Sequence, residues 1–354
     1  MKLLSQMSRI GQGLVRLYHP ETWRSRGWVW ASGVVVFTLL VGVFVLSLLW
    51  GAEPSRFDVV DQARARAGLG DDQPSLVTGY VMGATLARVA ETLLDKPGGY
   101  LTNDKLPPGL VMDNIPNWEF GVLVQVRDLA RALRNDMSRS QSQSIENEAL
   151  SVAEPLFNFD SDSWVLPASE SQYRQGILAV DEYLRQLSGV QQGDAQFFAR
   201  ADNLREWLVV VEKRLGSLSQ RLSASVGQIR INTDLAGDAG AREAAPGAKE
   251  IEVKTPWMEI DDVFYEARGA VWAMIHFLQA AEIDFADVLK KKNALVSLRQ
   301  IIRELQSTQH TVWSPMVLNG RGFGLVTNYS LIMATYISRA NAAVIDLNNL
   351  LVQG

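Results

Sequence analysis

The sequence predicts an all-α fold: a single N-terminal transmembrane helix followed by an α-helical bundle with long antiparallel helical hairpins. Three observations carry this reading. Residues 28–50 contain no charged side chain. The rest of the chain places its apolar residues at steps of three and four, in segments separated by proline, glycine and asparagine. No two segments alternate in the manner of a strand pair, and no internal repeat recurs at a fixed period.

The uncharged run is WVWASGVVVFTLLVGVFVLSLLW, Trp28 to Trp50. As a helix it would be about 35 Å long at ~1.5 Å per residue, enough for a hydrocarbon core of roughly 30 Å with some tilt. Trp28, Trp30 and Trp50 lie at its ends, where amphipathic rings prefer the headgroup level. Lys2, Arg9, Arg16, Arg24 and Arg26 precede it against one acid, Glu21. Arg56, Arg64 and Arg66 follow it, mixed with Glu53, Asp58 and Asp61. The excess of positive charge before the span predicts a cytoplasmic N-terminus. The run is too long for the ~7–15-residue core of a cleaved signal peptide. A cut after Ala52 would also put Trp50 where a small residue is needed.

Residues 1–27 read as a cytoplasmic amphipathic segment. Leu3, Leu4, Met7, Ile10, Leu14, Leu17 and Tyr18 share one side of a helix over 3–18, with Lys2, Arg9 and Arg16 on the other. Such a helix suits an anionic leaflet, and His19-Pro20 stops it. Residues 51–74 form a juxtamembrane connector, helical from Pro54 to Ala67 and ended by Gly68 and Gly70. The helical domain is expected to occupy residues 75–354. Its first helix runs from Ser75 to Lys96 and stops at Pro97-Gly98-Gly99. Asn117 is expected to cap a helix from Trp118 to about Met137, and a second piece runs from Ser144 to Leu156.

After the irregular FNFDSDSWVLPA, 157–168, Ser169 and Gln172 form a capping-box pattern for a helix to Leu187. A long helix is expected from Asp194 to Ile231. Leu204, Leu208, Val211, Leu215, Leu218, Leu222 and Ile229 form its coiled-coil-like seam, interrupted at Ser225. Within one chain such a seam points to an antiparallel hairpin. Residues 233–256 are small and polar and read as a flexible linker at a hairpin tip. Helices follow over Trp257–Ala281, Asp284–Ser307 and Val326–Leu351, the last two separated by a Gly-rich loop. In the last helix Tyr329, Tyr336, Ala343 and Leu350 recur beside Met333, Ala340 and Leu347.

Composition excludes some functions. The net charge is −5, and the first fifty residues hold five of the 34 basic residues and one of the 39 acidic ones. The remainder is therefore at about −9, which argues against a nucleic-acid partner. With no cysteine there are no disulfides, thiol nucleophiles or thiolate metal sites.

Two constellations could form a binding site or a structural polar site. Asn319, Gly320, Arg321 and Gly322 begin NGRGFG, where backbone N–H groups of a turn can cradle an anion. Their spacing matches neither the phosphate loop nor the dinucleotide fingerprint, and a turn before the last helix explains the glycines equally well. Glu259, Asp262 and Glu266 share one helical face, where they could hold a cation or meet a basic partner. Acids at a helix N-terminus account for the first two. Glu266 and Arg268 sit deeper, in an apolar stretch. Gly269, Ala270 and Ala273 beside them should let another helix approach closely. Both charges are expected to be buried and paired across helices, Glu266 with Arg299 or Arg303. Loss of Glu266 to Ala should then cost roughly 3–5 kcal/mol.

No catalytic residue, metal site or cofactor is predicted. His276 lies on an apolar helix and reads as a satisfied core residue. His276 and His310 fall on different elements, and His19 lies before the span. Asn158, Asp160 and Asp162 resemble the start of a calcium loop, but Ser163 replaces the required Gly and Ser169 the final Glu. No GxSxG elbow occurs.

Four stretches carry a resemblance: LVTGYVMGATLARVAETLLDKPGGYL, NIPNWEFGVLVQVRDLARALRNDMSRSQS, DDVFYEARGAVWAMIHFLQAAEIDFADVLKKKNALVSLRQIIREL and WSPMVLNGRGFG. They resemble a family of uncharacterised bacterial inner-membrane proteins, a domain of unknown function found mainly in proteobacteria, over nearly the whole chain. The resemblance implies a Gram-negative inner membrane and a periplasmic domain, and no activity. The expected role is a non-enzymatic envelope scaffold or adaptor. Its partners would be inner-membrane lipids, through residues 1–50, and an envelope protein or the cell wall. The alternatives are a periplasmic sensor binding a small molecule and, behind it, a cell-wall hydrolase.

Overall fold

A computed structural model describes residues 18–70, 76–140, 146–193, 195–231, 250–314, 316–321 and 324–353. Residues 3–17 of the amphipathic pattern, residues 233–249 of the expected linker 233–256, and Gly322 lie outside these residues; toward the end of that linker, Glu250–Val253 is strand. The fold is all-α, and the chain divides into two compact units.

The first unit contains the N-terminal helices and residues Lys105–Met112. Helix α1, Pro20–Arg26, lies within the N-terminal segment 1–27, where His19-Pro20 is expected to stop a helix; Pro20 instead starts one. A proline at the first helical position lacks only an N–H that would be orphaned there anyway. Gly27, with φ +81°, separates it from α2, Trp28–Trp50. Helix α2 is long and apolar enough to cross a membrane, and nearly all of it is exposed. Two of its hydroxyls bond back to the helix, Thr38 Oγ1 donating to the Val34 carbonyl and Ser47 Oγ to that of Val43, which lowers the cost of placing them in lipid.

The second unit, Glu53–Asp104 and Asp113–Gly354, is the helical domain. Helix α3, Val59–Ala67, begins at Asp58, whose carboxylate accepts from the Val60 and Asp61 N–H groups, and ends at left-handed Gly68. Helix α4, Tyr80–Asp95, starts five residues later than expected. Its cap comes from far along the chain: Asp284 accepts from the N–H groups of Gly79 (2.8 Å) and Met82 (2.7 Å). Helix α5, Asn114–Ala132, starts at Asp113 and continues as a π turn to Met137. Asn117 is therefore not a cap. It lies in the first turn and donates to Asp262.

Helix α6, Glu148–Phe157, is capped by Asn147, and α7, Ser169–Leu187, follows. Ser169 is buried and makes no capping box. Its hydroxyl donates instead to the carbonyls of Asp160 and Ser163. Arg127, Tyr100, Asn103 and Tyr173 donate to further carbonyls of the 157–163 stretch, so this irregular segment is pinned by side chains from three other elements.

Helix α8 spans Ala201–Ser223 rather than 194–231. Beyond it the chain forms a short ribbon, β1 Gln228–Ile231 and β2 Glu250–Val253, antiparallel with Gln228 opposite Val253. This strand pair carried no clear alternation in the sequence, and it takes Ile229 out of the predicted seam. The other seam residues, Leu204 to Leu222, are buried. They face α12, Tyr329–Gln353, in antiparallel sense: Ser219 meets Ala334, and Glu212 meets Asn348. The partner of the seam is thus the last helix, not the next one.

At the centre lies α9, Ile260–Asp284, buried almost continuously from Ala267 to Ala281. It packs on α4, α5, α8 and α11, Leu295–Ser307. The helix expected over Asp284–Ser307 is broken at 292–294 into a short α10, Ala286–Lys291, and α11. The α5–α9 crossing is backbone to backbone. A Cβ on Gly269 would stand 1.9 Å from the Trp118 carbonyl oxygen, and one on Gly121 2.0 Å from that of Glu266. Only glycine permits such an approach.

Candidate functional site

Two of the predicted charges sit on opposite sides of α9. Glu266 accepts two hydrogen bonds of 2.6 Å from Arg221, not from Arg299 or Arg303. Arg299 instead binds Glu282, and Arg303 precedes Glu304, which takes Arg339. The choice of Arg221 has a geometric cause. The Gly121 and Gly269 crossing draws α5 against the Glu266 turn, and α8 lies beside both, so its Arg221 reaches the carboxylate first. The pair lines a cleft of about 220 Å³ with Phe120, Gly121, Gln125 and Arg214. Arg214 is itself held by Asp128 through two hydrogen bonds.

Arg268 is buried. Its Nε and Nη2 donate to Glu53 at 2.6 and 2.5 Å, and its Nη1 to the carbonyls of Thr308 (2.9 Å) and His310 (3.0 Å). Four of the five guanidinium N–H groups thus find acceptors. A planar fork against a carboxylate is the geometry arginine suits best.

Asp262 accepts from Asn117 (2.7 Å). Burial raises its pKa, and the neighbouring acids Asp261, Asp113 and Glu259 push the same way. Glu259 lines a separate open cleft of about 350 Å³ with Lys254, Thr255 and Arg221. The three carboxylates therefore do not converge on one point. Among the described residues no group of three His, Asp or Glu side chains could hold a metal ion.

The Gly-rich turn folds back on the start of α12. Gly320 N–H donates to the Thr327 carbonyl, and Gly320 O accepts from Asn328 Nδ2 at 2.7 Å. Asn319 Oδ1 accepts from Ser330, and Asn319 Nδ2 donates to the Val317 carbonyl. A Cβ on Gly320 would lie 1.8 Å from the Val326 carbonyl oxygen. Gly320 thus serves a tight backbone contact, with its N–H already engaged. Arg321 is exposed. Among the described residues no hydrogen bond or ion pair joins this turn to Glu259, Asp262, Glu266 or Arg268.

Sequence reasoning missed the most deeply buried ion pair among the described residues. Lys96 Nζ lies 2.5 Å from Glu119 Oε1, both side chains almost wholly enclosed. Glu119 also accepts from the N–H groups of Leu101 and Thr102 and from the Thr102 hydroxyl, while Lys96 donates to the Gly99 carbonyl. Burial pushes the Glu119 carboxyl up, against the opposing pull of Lys96 and those donors. The available signal was an acid inside the apolar WEFGVLV run. Asp284 was missed for the same reason. Burial pushes it up to about 7, while the Gly79 and Met82 N–H groups pull it down.

His276 is satisfied in the core, as expected. Its Nδ1 meets the Trp272 carbonyl at 2.7 Å and its Nε2 accepts from Phe57 N–H at 3.2 Å. This fixes the Nδ1-protonated tautomer of a neutral ring. Phe57 stacks on the imidazole at 4.0 Å, and burial lowers the pKa to about 4. The connector after the span is therefore fastened at three points: Glu53 on Arg268, Phe57 on His276, and Arg66 between Glu91 and Asp181.

A family model described as an uncharacterized protein conserved in bacteria, DUF2333, matches residues 23–354. No curated protein matches the chain. No solved structure matches it either.

Proposed function

Starting from the chain's membership of that bacterial family, DUF2333, we propose that this protein is a scaffold or adaptor of the cell envelope. It is anchored in the inner membrane by α2, with its N-terminus in the cytoplasm and its helical domain in the periplasm. It works through contacts with an envelope protein or the cell wall rather than by catalysis.

One observation carries this reading. Three of the ionisable residues that could have made a site are engaged in joining elements: Glu266 to Arg221, Arg268 to Glu53, Asp262 to Asn117. The cleft beside Glu266, about 220 Å³, is below the roughly 300–1,000 Å³ of common small-molecule sites, which weakens the sensor reading. The charge bias around α2 supports the orientation.

Photo-crosslinking in cells tests the proposal. Crosslinkers at two separate exposed positions, Val190 and Val296, should capture the same envelope component in the full-length protein. Alkaline phosphatase fused at Gly354 should be active. Release of soluble fragments from purified cell wall by the full-length protein, abolished by Glu266→Gln without loss of folding, would overturn the reading in favour of a hydrolase.

A further inference from the structure

The turn Lys105–Met112, KLPPGLVM, belongs to the compact unit of α2 and not to the helical domain that flanks it in sequence. It sits at the C-terminal end of α2: a Cβ built on Gly51 would be 3.6 Å from Met112 Cε. Three of its large apolar side chains face outward, with Leu106 66%, Leu110 59% and Val111 66% exposed. Three such residues within six positions are costly to leave in water. Burying them in their own fold would be the ordinary solution.

The backbone of the turn is arranged differently from a solvated loop. Leu110, Val111 and Met112 donate their N–H groups to the carbonyls of Leu106, Pro108 and Gly109. Pro107 and Pro108 have no N–H to satisfy. Five of the six positions from 107 to 112, all but Gly109, thus carry no N–H that needs water. That lowers the cost of resting the turn at the headgroup level, with its backbone outside the hydrocarbon and its side chains reaching into it. Lys105 opens the turn and Asp113 follows it, so charges bracket the apolar part.

We propose that Lys105–Met112 is a second membrane contact. Leu106, Leu110 and Val111 enter the lipid leaflet that α2 leaves at Trp50, and Lys105 extends its ammonium toward the headgroups. The inference rests on α2 being a membrane span. The occupant is the phospholipid bilayer itself, because the turn packs at the end of the helix that crosses it.

The absence of native cysteine makes the test direct. The full-length protein carrying a single cysteine is labelled with an environment-sensitive fluorophore and reconstituted in phosphatidylethanolamine–phosphatidylglycerol vesicles. Leu110→Cys tests the turn, Leu39→Cys tests the middle of α2, and Val190→Cys is the aqueous reference. A nitroxide high on the lipid acyl chain should quench position 110 at least twofold more than position 190. A nitroxide deep in the chain should quench position 39. Quenching at 39 with none above the reference at 110 would overturn the proposal and leave the span reading intact. No quenching at either would overturn both.

Discussion

Glu53 and Arg268, 215 positions apart in the chain, meet through two parallel hydrogen bonds of 2.6 and 2.5 Å inside the helical domain. Arg268 is 5% exposed and Glu53 21%. Removing the carboxylate leaves a buried guanidinium with only the Thr308 and His310 carbonyls. Glu53→Ala should lower stability by about 3–5 kcal/mol, as for other broken buried pairs. Glu53→Gln should lose clearly less. Denaturant unfolding of the full chain in detergent measures both. Equal stability of Glu53→Ala and wild type would sink the argument.

The glycine crossing predicts a sharp steric effect. A methyl at position 121 or 269 would meet a carbonyl oxygen at 2.0 or 1.9 Å, and both are backbone atoms that cannot rotate away. Gly121→Ala and Gly269→Ala should each cost about 3 kcal/mol, the upper end for overpacking. The double variant should cost less than the sum, since one separation of the helices relieves both clashes. Thermal unfolding of the three variants checks this.

Two acids on the same pair of helices should behave differently. Glu119 and Lys96 are both enclosed, so Glu119→Ala strands a buried ammonium and should cost about 3–5 kcal/mol. Glu266 faces Arg221, whose side chain is 45% exposed and can turn to water. Glu266→Ala should therefore cost only about 1 kcal/mol, less than the 3–5 that a fully buried partner would demand. Melting curves of the two variants should rank them in that order.

The pH dependence of stability should hide two opposed slopes. Burial raises Asp284 from 3.8 to about 7, so the folded chain holds more protons between those values. Stability from this group is full below about 4 and is lost as pH rises toward 7. Burial lowers His276 from 6.5 to about 4, so there the unfolded chain holds more protons. Its contribution is full above 6.5 and is lost as pH falls toward 4. At ~1.4 kcal/mol per unit the first is of order 4 kcal/mol and the second of order 3 kcal/mol. Asp284→Asn should gain stability relative to wild type as pH rises from 4 to 7. His276→Gln should lose it relative to wild type as pH rises from 4 to 6.5. Difference curves of the same sign would contradict the assignment.

Local signals were legible and distant pairings were not. The apolar stretch of α9 and its Gly269 and Ala270 announced a buried helix approached closely by another. The interlocking Gly121, 148 positions earlier, is one glycine in an ordinary amphipathic helix. Glu266 and Arg268 were recognisable as paired buried charges because they interrupt an apolar run. Their partners were not, because any of several helices can supply a cation. Reasoning from sequence adjacency chose α11, while packing brought α8. Boundaries failed where the cap lies elsewhere in the chain: α4 starts where Asp284 reaches it. The ribbon Gln228–Ile231 with Glu250–Val253 was hidden because segments of four residues are too short to show a period.

The arrangement of contacts also sets an order of events during synthesis. Gly79 and Met82 wait for Asp284, Phe57 for His276, Glu53 for Arg268, and Trp118 for Gly269. Every one of these partners lies on α9, in the last third of the chain. Contacts of such long range form slowly, because the loop must close before any contact rewards it. Some two hundred residues therefore leave the ribosome with their apolar faces unmatched, and α9 closes the structure around itself on arrival.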